Sequence, residues 1–139
     1  GNKGATAWGA ITVPSDAKGV MTVGAVGRAG ARAPFSSYGP TADGRFAPLV
    51  CALGRRTAVL NHRGEPSYNS GTSLAAPLVA GLSACLMQAF SSLSPAQLTD
   101  AIISTASKAS SPDDEVGYGI ADFHAAYLYI QKKYFGANK

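Results

Sequence analysis

The rhythm of apolar positions changes once along the chain, near residue 71. Before that point apolar residues come in short blocks. Gly19-Val20-Met21-Thr22-Val23-Gly24-Ala25-Val26 is an apolar run bounded by turn residues. A continuous run of that length predicts a strand buried on both faces, as in a parallel sheet. Phe46 to Leu53 is a second such run, weakened by Pro48, which cannot donate to a ladder. Thr57-Ala58-Val59-Leu60 and Ser67-Tyr68-Asn69 flank the polar segment His62-Arg63-Gly64-Glu65 and predict a hairpin with that segment at its tip. Gly27 to Gly44 carries turn signals at Gly30, Pro34, Gly39-Pro40 and Asp43-Gly44 and reads as loop.

After residue 71 the period lengthens. Leu74, Leu78, Leu82 and Leu86 recur at four-residue spacing with small apolar residues between them. That pattern predicts a helix apolar nearly all round, and therefore central. The run Leu74 to Met87 contains Pro77, Gly81 and Ser83 and is too short to span a bilayer, so no membrane span is expected. Ser94-Pro95-Ala96-Gln97 predicts a helix start: Ser94 can cap, Pro95 suits the first turn and Gln97 can reach back to the cap amide. Leu98 and Ile102 give that helix one buried face. Gly117 and Gly119 break the chain. Ile120, Phe123, Tyr127, Ile130 and Tyr134 then follow at helical spacing and predict an amphipathic closing helix, with Lys132 and Lys133 placed favourably near its C-terminus.

Composition narrows the function classes. With 46% hydrophobic and 14% charged residues, the chain has enough apolar side chain to build a core, which excludes disorder. Its 139 residues fit one small domain or a piece of a larger one. Twelve Lys+Arg against eight Asp+Glu give +4, but Arg28, Arg32, Arg45, Arg55, Arg56 and Arg63 are scattered, and no nucleic-acid partner is expected. Cys51 and Cys85 both lie in apolar surroundings and read as two buried free thiols. The chain opens Gly1-Asn2-Lys3-Gly4, without Met. This reads either as a maturation boundary or as a larger domain that has been cut, and on the second reading the lack of a signal segment says nothing about export.

The strongest chemical signal is Gly71-Thr72-Ser73-Leu74-Ala75-Ala76-Pro77. A hydroxyl between a glycine and the first turn of a buried helix lies among free backbone amides. An oxyanion formed on a carbonyl attacked by Ser73 would sit in that field. The alternative is that Thr72 or Ser73 merely caps the helix. Asn2, beside Gly1, could donate to such an oxyanion or could simply be a turn residue. A serine nucleophile also needs a base and an orienting group. His62, in the hairpin tip, and His124, on the closing helix, both read as surface residues, although Ser73 with His124 would be the pairing of an esterase. Gly24, Gly27 and Gly30 lack the dinucleotide-binding spacing. Asp113-Asp114-Glu115 reads as a solvated loop.

Gly71-Thr72-Ser73-Leu74-Ala75-Ala76-Pro77-Leu78-Val79-Ala80-Gly81 resembles the nucleophile signature of the subtilisin-like serine proteases, the subtilases or peptidase family S8. Other landmarks follow in family order. Gly1-Asn2-Lys3-Gly4 resembles the segment carrying the oxyanion-hole Asn, and Pro14-Ser15-Asp16-Ala17 with Val20 to Val26 resembles the stretch after it. Phe35-Ser36-Ser37-Tyr38-Gly39-Pro40 with Asp43-Gly44-Arg45 resembles the next loop, and Gly117-Tyr118-Gly119 the Gly-x-Gly element before the last helix. The resemblance implies an α/β fold: residues 1–139 as the C-terminal portion of one subtilase catalytic domain, a three-layer fold with a mostly parallel sheet flanked by helices. It implies endopeptidase activity on polypeptides through an Asp-His-Ser triad, in a secreted or cell-envelope protein. Ser73 matches the nucleophile and Asn2 the oxyanion donor, with the Ser73 amide as second donor. Gly9, Ala10, Gly71 and Thr72 would border the substrate.

The family's Asp and His motifs lie upstream of the oxyanion Asn, outside these residues, and His62 followed by Arg63-Gly64 does not match the His motif. The chain alone is therefore expected to be inactive, and either to self-associate or to travel with the upstream part. Where the family has an acidic residue after a Pro and then Ala-Pro-Gly, this chain has Pro48-Leu49-Val50 and Ala52-Leu53-Gly54. No cofactor is expected. The family often binds calcium, but no cluster here has the ligand spacing. The alternative from another class is a non-catalytic subtilase-like module that binds a polypeptide or a partner subunit.

Overall fold

The computed structural model describes residues 1–136. In chain order its elements are β1 (Val23–Val26), β2 (Val50–Leu53), β3 (Thr57–Leu60), β4 (Pro66–Asn69), α1 (Thr72–Ala89), α2 (Pro95–Thr105) and α3 (Phe123–Ile130), continued by a π-helical turn, Gln131–Phe135. β1 and β2 pair in parallel, from Val23 opposite Val50 to Val26 opposite Leu53. On the far side of β2, Cys51 bridges Ile120 in parallel. There the Cys51 amide donates to the Gly119 carbonyl and the Ala121 amide to the Cys51 carbonyl. β3 and β4 form the antiparallel hairpin, Thr57 opposite Asn69 and Leu60 opposite Pro66.

Parallel strands backed by helices make this an α/β fold, as the resemblance implies. Both early strands start later than their apolar runs. Val20 is 43% exposed, outside the ladder, and β2 begins only after Pro48, which has no amide to donate. α1 packs on β1 and β2, and α2 on α3. The core gathers Val50, Val79, Leu86, Phe90, Leu98, Ile102 and Ile130, and a smaller cluster joins Ala25, Ala33 and Ala75.

Three expectations change. α1 is not enclosed: Ala75, Val79 and Leu86 are buried, whereas Leu78 and Leu82 are 43% and 46% exposed. At 18 residues and mean hydropathy 1.4 it is, by length and composition alone, long and apolar enough to cross a membrane, although it packs against the sheet. Cys85 is exposed on this helix, because a four-residue repeat drifts round a 3.6-residue turn and the sheet contacts only one side. Cys51 is buried as expected, and burial pushes its thiol up to about 12. Finally, the closing helix starts at Phe123 rather than Ile120. Asp122 caps it by accepting the Ala125 amide at 2.9 Å, while Ile120 belongs to the bridge with β2.

Candidate active site

The chain enters α1 through a tight corner. The Gly71 amide donates to the Gly54 carbonyl at 2.8 Å, and the Gly54 amide to the Val26 carbonyl at 3.0 Å. A Cβ on Gly54 would lie 2.6 Å from Ala25 Cβ and 2.8 Å from the Gly71 carbonyl oxygen. Only glycine lets the end of β2 and the turn into α1 approach so closely. The cap position of α1 is Gly71, which has no side chain to cap the first turn. Neither Thr72 nor Ser73 is thus a capping residue, and the free amides that begin the helix carry its positive dipole end.

Thr72 turns instead to Asn2. Asn2 Oδ1 accepts both the Thr72 amide and the Thr72 hydroxyl, each at 3.0 Å. That bond spans 70 residues, so Asn2 is more than a local turn residue. With its oxygen held by two donors, the other end of the carboxamide, Nδ2, faces the space beside Ser73. The convergence can be read at one point, the position a Cβ would take on Gly71. Ser73 Oγ lies 3.0 Å from it, Asn2 Nδ2 3.7 Å and the Ser73 amide nitrogen 3.8 Å. Gly71 has φ 165°, an extended backbone open to any residue, so what its missing side chain provides here is space. Ser73 is exposed, whereas Gly71 and Thr72 are buried. A hydroxyl oxygen and two N–H groups thus lie within 4 Å of one point beside Gly71.

The segment carrying Asn2 is itself clamped. The Ser37 amide donates to the Gly1 carbonyl at 2.8 Å, the Lys3 amide to Ser37 Oγ at 2.9 Å, and the Gly4 amide to the Phe35 carbonyl at 2.9 Å. Ser36, fully buried, accepts the Ala25 amide at 3.0 Å and ties the same loop to β1. Ser36 and Ser37 are thus positioning residues that sequence reasoning treated only as landmarks. A hydroxyl pair in an otherwise apolar stretch was the available signal.

A cavity of about 380 Å³ adjoins Ser73, lined among others by Thr72, Ala76, Met21, Val20 and Pro14. Gly9 and Ala10 are not among its lining residues. Gly9 is packed beneath the Tyr38 ring, and Ala10 bridges Tyr38. His62 and His124 are both exposed. The acidic loop is more ordered than a solvated run. Asp113 pairs with Lys108 and accepts the Glu115 and Val116 amides, and these contacts outweigh burial to hold its carboxyl below the usual range. Among the described residues no three His, Cys, Asp or Glu side chains come together to hold a metal ion.

Residues 1–119 match the family model described as the subtilase family. The chain belongs to that family. This subtilase chain is 39% identical over 115 residues to Mycosin-1 of Mycobacterium tuberculosis, covering 79% of this chain and 26% of the relative. It is 36% identical over 124 residues to the extracellular basic protease of Dichelobacter nodosus, covering 83% and 20%. It thus spans about a fifth to a quarter of the length of these curated relatives. Among solved structures, MycP1 with its N-terminal propeptide removed superposes with a TM-score of 0.70 at 32% identity, over 84% of this chain and 39% of that one. The Clostridium perfringens CspB protease, at 22% identity and a TM-score of 0.76 over 87% of this chain and 28% of that one, shares the fold.

Proposed function

We propose that this subtilase chain works within a serine endopeptidase, to which it contributes the nucleophile and the oxyanion hole. Ser73 Oγ attacks the scissile carbonyl of a polypeptide, and Asn2 Nδ2 with the Ser73 amide holds the oxyanion of the tetrahedral intermediate. A His and an Asp from polypeptide upstream of Asn2 take the Ser73 proton and orient that His. The observation that supports this reading is the convergence of Ser73 Oγ, the Ser73 amide and Asn2 Nδ2 beside Gly71. The half-exposed Leu78 and Leu82 on α1 support the presence of further polypeptide against that helix, or of a second copy. Relatives named as extracellular proteases support a secreted or cell-envelope setting.

With neither histidine of the chain matching the family's His motif, residues 1–139 alone give no useful turnover. An oxyanion hole without its base leaves only residual acceleration. In the protein, Ser73→Ala abolishes hydrolysis of a peptide substrate, followed by initial rates. Clear turnover by purified residues 1–139 that Ser73→Ala removes would overturn the assignment of the base to the upstream polypeptide. The exposure of both histidines also fits a non-catalytic module that binds a polypeptide. That reading gains if the protein binds peptides but shows no Ser73-dependent hydrolysis at all.

A further inference from the structure

Three of the arginines that look scattered along the sequence meet in the fold. Arg28, Arg55 and Arg56 line one cavity of about 370 Å³, together with Gly27, Ala29, Ala31 and Tyr68. That volume is in the range of small-ligand pockets. Arg32 and Arg45 are engaged, Arg32 with the Ser36 carbonyl and Glu115, Arg45 with Asp43. Among the described residues Arg28, Arg55 and Arg56 form no ion pair.

The cavity is built rather than incidental. The aliphatic stem of Arg55 runs across Gly27, its Cδ 3.7 Å from where a Cβ would stand. Arg56 has φ 53°, a left-handed conformation that costs a non-glycine residue energy. That conformation is held by the Arg56 amide donating to Ser70 Oγ at 3.0 Å. It leaves the guanidinium 5.8 Å from the centre of the Tyr68 ring, on the cavity wall. The chain links the cavity wall to the candidate active site. Arg55 follows Gly54, whose carbonyl accepts the Gly71 amide, and Ser70 and Tyr68 lead directly into Gly71 and Ser73.

We propose that this cavity is a subsite for acidic side chains of the polypeptide substrate, in which Arg28, Arg55 and Arg56 receive an Asp or Glu carboxylate close to the scissile bond. Guanidinium groups match a carboxylate with paired N–H donors, and three unpaired ones in a single recess set a local potential that a neutral side chain does not exploit. The inference rests on the endopeptidase reading, so its test reads binding apart from turnover.

The protein carrying Ser73→Ala is titrated, by fluorescence anisotropy, with two labelled peptides that differ only in three glutamates replaced by glutamines. The glutamate peptide binds about tenfold tighter at low salt, and the margin shrinks as salt rises. Arg28→Gln with Arg55→Gln abolishes that margin, and Arg28→Lys with Arg55→Lys retains most of it. A circular dichroism spectrum unchanged from the parent qualifies each variant; where the glutamine pair fails to fold, Arg28→Gln alone, on an exposed loop side chain, must still narrow the margin. Equal binding of the two peptides, or a margin that survives the glutamine substitutions, overturns the subsite. Cleavage without any acidic preference overturns the subsite and leaves the endopeptidase reading standing. Acidic preference in binding without Ser73-dependent cleavage does the reverse.

Discussion

At the scale of single residues, Asn2 separates two jobs within one side chain. Its oxygen fixes the start of α1 through Thr72, and its nitrogen faces the space at Ser73. Asn2→Asp keeps an acceptor for Thr72 but replaces the donor with a second oxygen. We expect kcat to fall about 10²- to 10³-fold with KM little changed, the cost of losing one oxyanion donor, as steady-state kinetics would show. Gly71→Ala tests the same point sterically. Its backbone can accept alanine, but the new methyl would stand 3.0 Å from Ser73 Oγ, in the way of a carbonyl approaching as the proposed mechanism requires. The variant should fold with an unchanged circular dichroism spectrum and lose hydrolysis. The nucleophile motif made Ser73 legible in the sequence, because hydroxyl, glycine and small apolar residues are adjacent there. The partnership of Asn2 with Thr72 was only half legible: the bond closes over 70 residues, and no local spacing encodes it.

At the scale of elements, α2 carries its own start signal. Ser94 accepts the Gln97 amide while the Gln97 side chain accepts the Ser94 amide, as the spacing predicts. Ser94→Ala should cost about 1 kcal/mol, read from urea unfolding. The other end of the molecule is held by a device the sequence pattern hides. Asp100 on α2 gathers the hydroxyls of Tyr134 at 2.6 Å and Tyr129 at 3.0 Å, and Lys133 Nζ at 2.9 Å. Tyr134 falls on the apolar helical spacing, yet it and Tyr129 turn their polar ends to one carboxylate. The Tyr134 hydroxyl first, then Lys133 and Tyr129, hold the Asp100 carboxyl below its ordinary range. A depressed carboxyl pKa stabilises the fold above the unfolded value, and that contribution is lost as pH falls through the folded value. Stability to urea should therefore drop as pH falls below about 5, through the ordinary aspartate value of about 3.9 and beyond it, and Asp100→Asn should flatten that part of the profile. The capping box was legible because its residues are neighbours. The Asp100 cluster was not, since it joins residues up to 34 positions apart.

At the scale of the whole molecule, the chain shows more apolar surface than its core alone would lead one to expect. Leu78 and Leu82 on α1 lie on a helix whose other side packs on the sheet, and Met87 is 43% exposed near its end. Exposed apolar faces of this kind favour association. Purified residues 1–139 should scatter light with a mass above the monomer, and Leu78→Gln with Leu82→Gln should shift the distribution toward monomer. A compact monomer from the unmodified chain would count against that. Run length made a buried parallel strand legible, turn residues made the hairpin legible, and the α/β class came with the family resemblance. None of these could reveal which side of an all-round apolar helix is covered, because that depends on what stands opposite it rather than on the helix itself.

The corner at Gly54 joins these scales. The hydrogen that stands in place of a side chain there is hemmed in by a core methyl on one side and, on the other, by the carbonyl of the residue that opens the way to Ser73. Interior volume and reactive geometry thus meet at a single atom's width. The packing of the interior beneath the first strands cannot be enlarged without dislodging the serine, and the serine cannot drift without opening a gap in that interior.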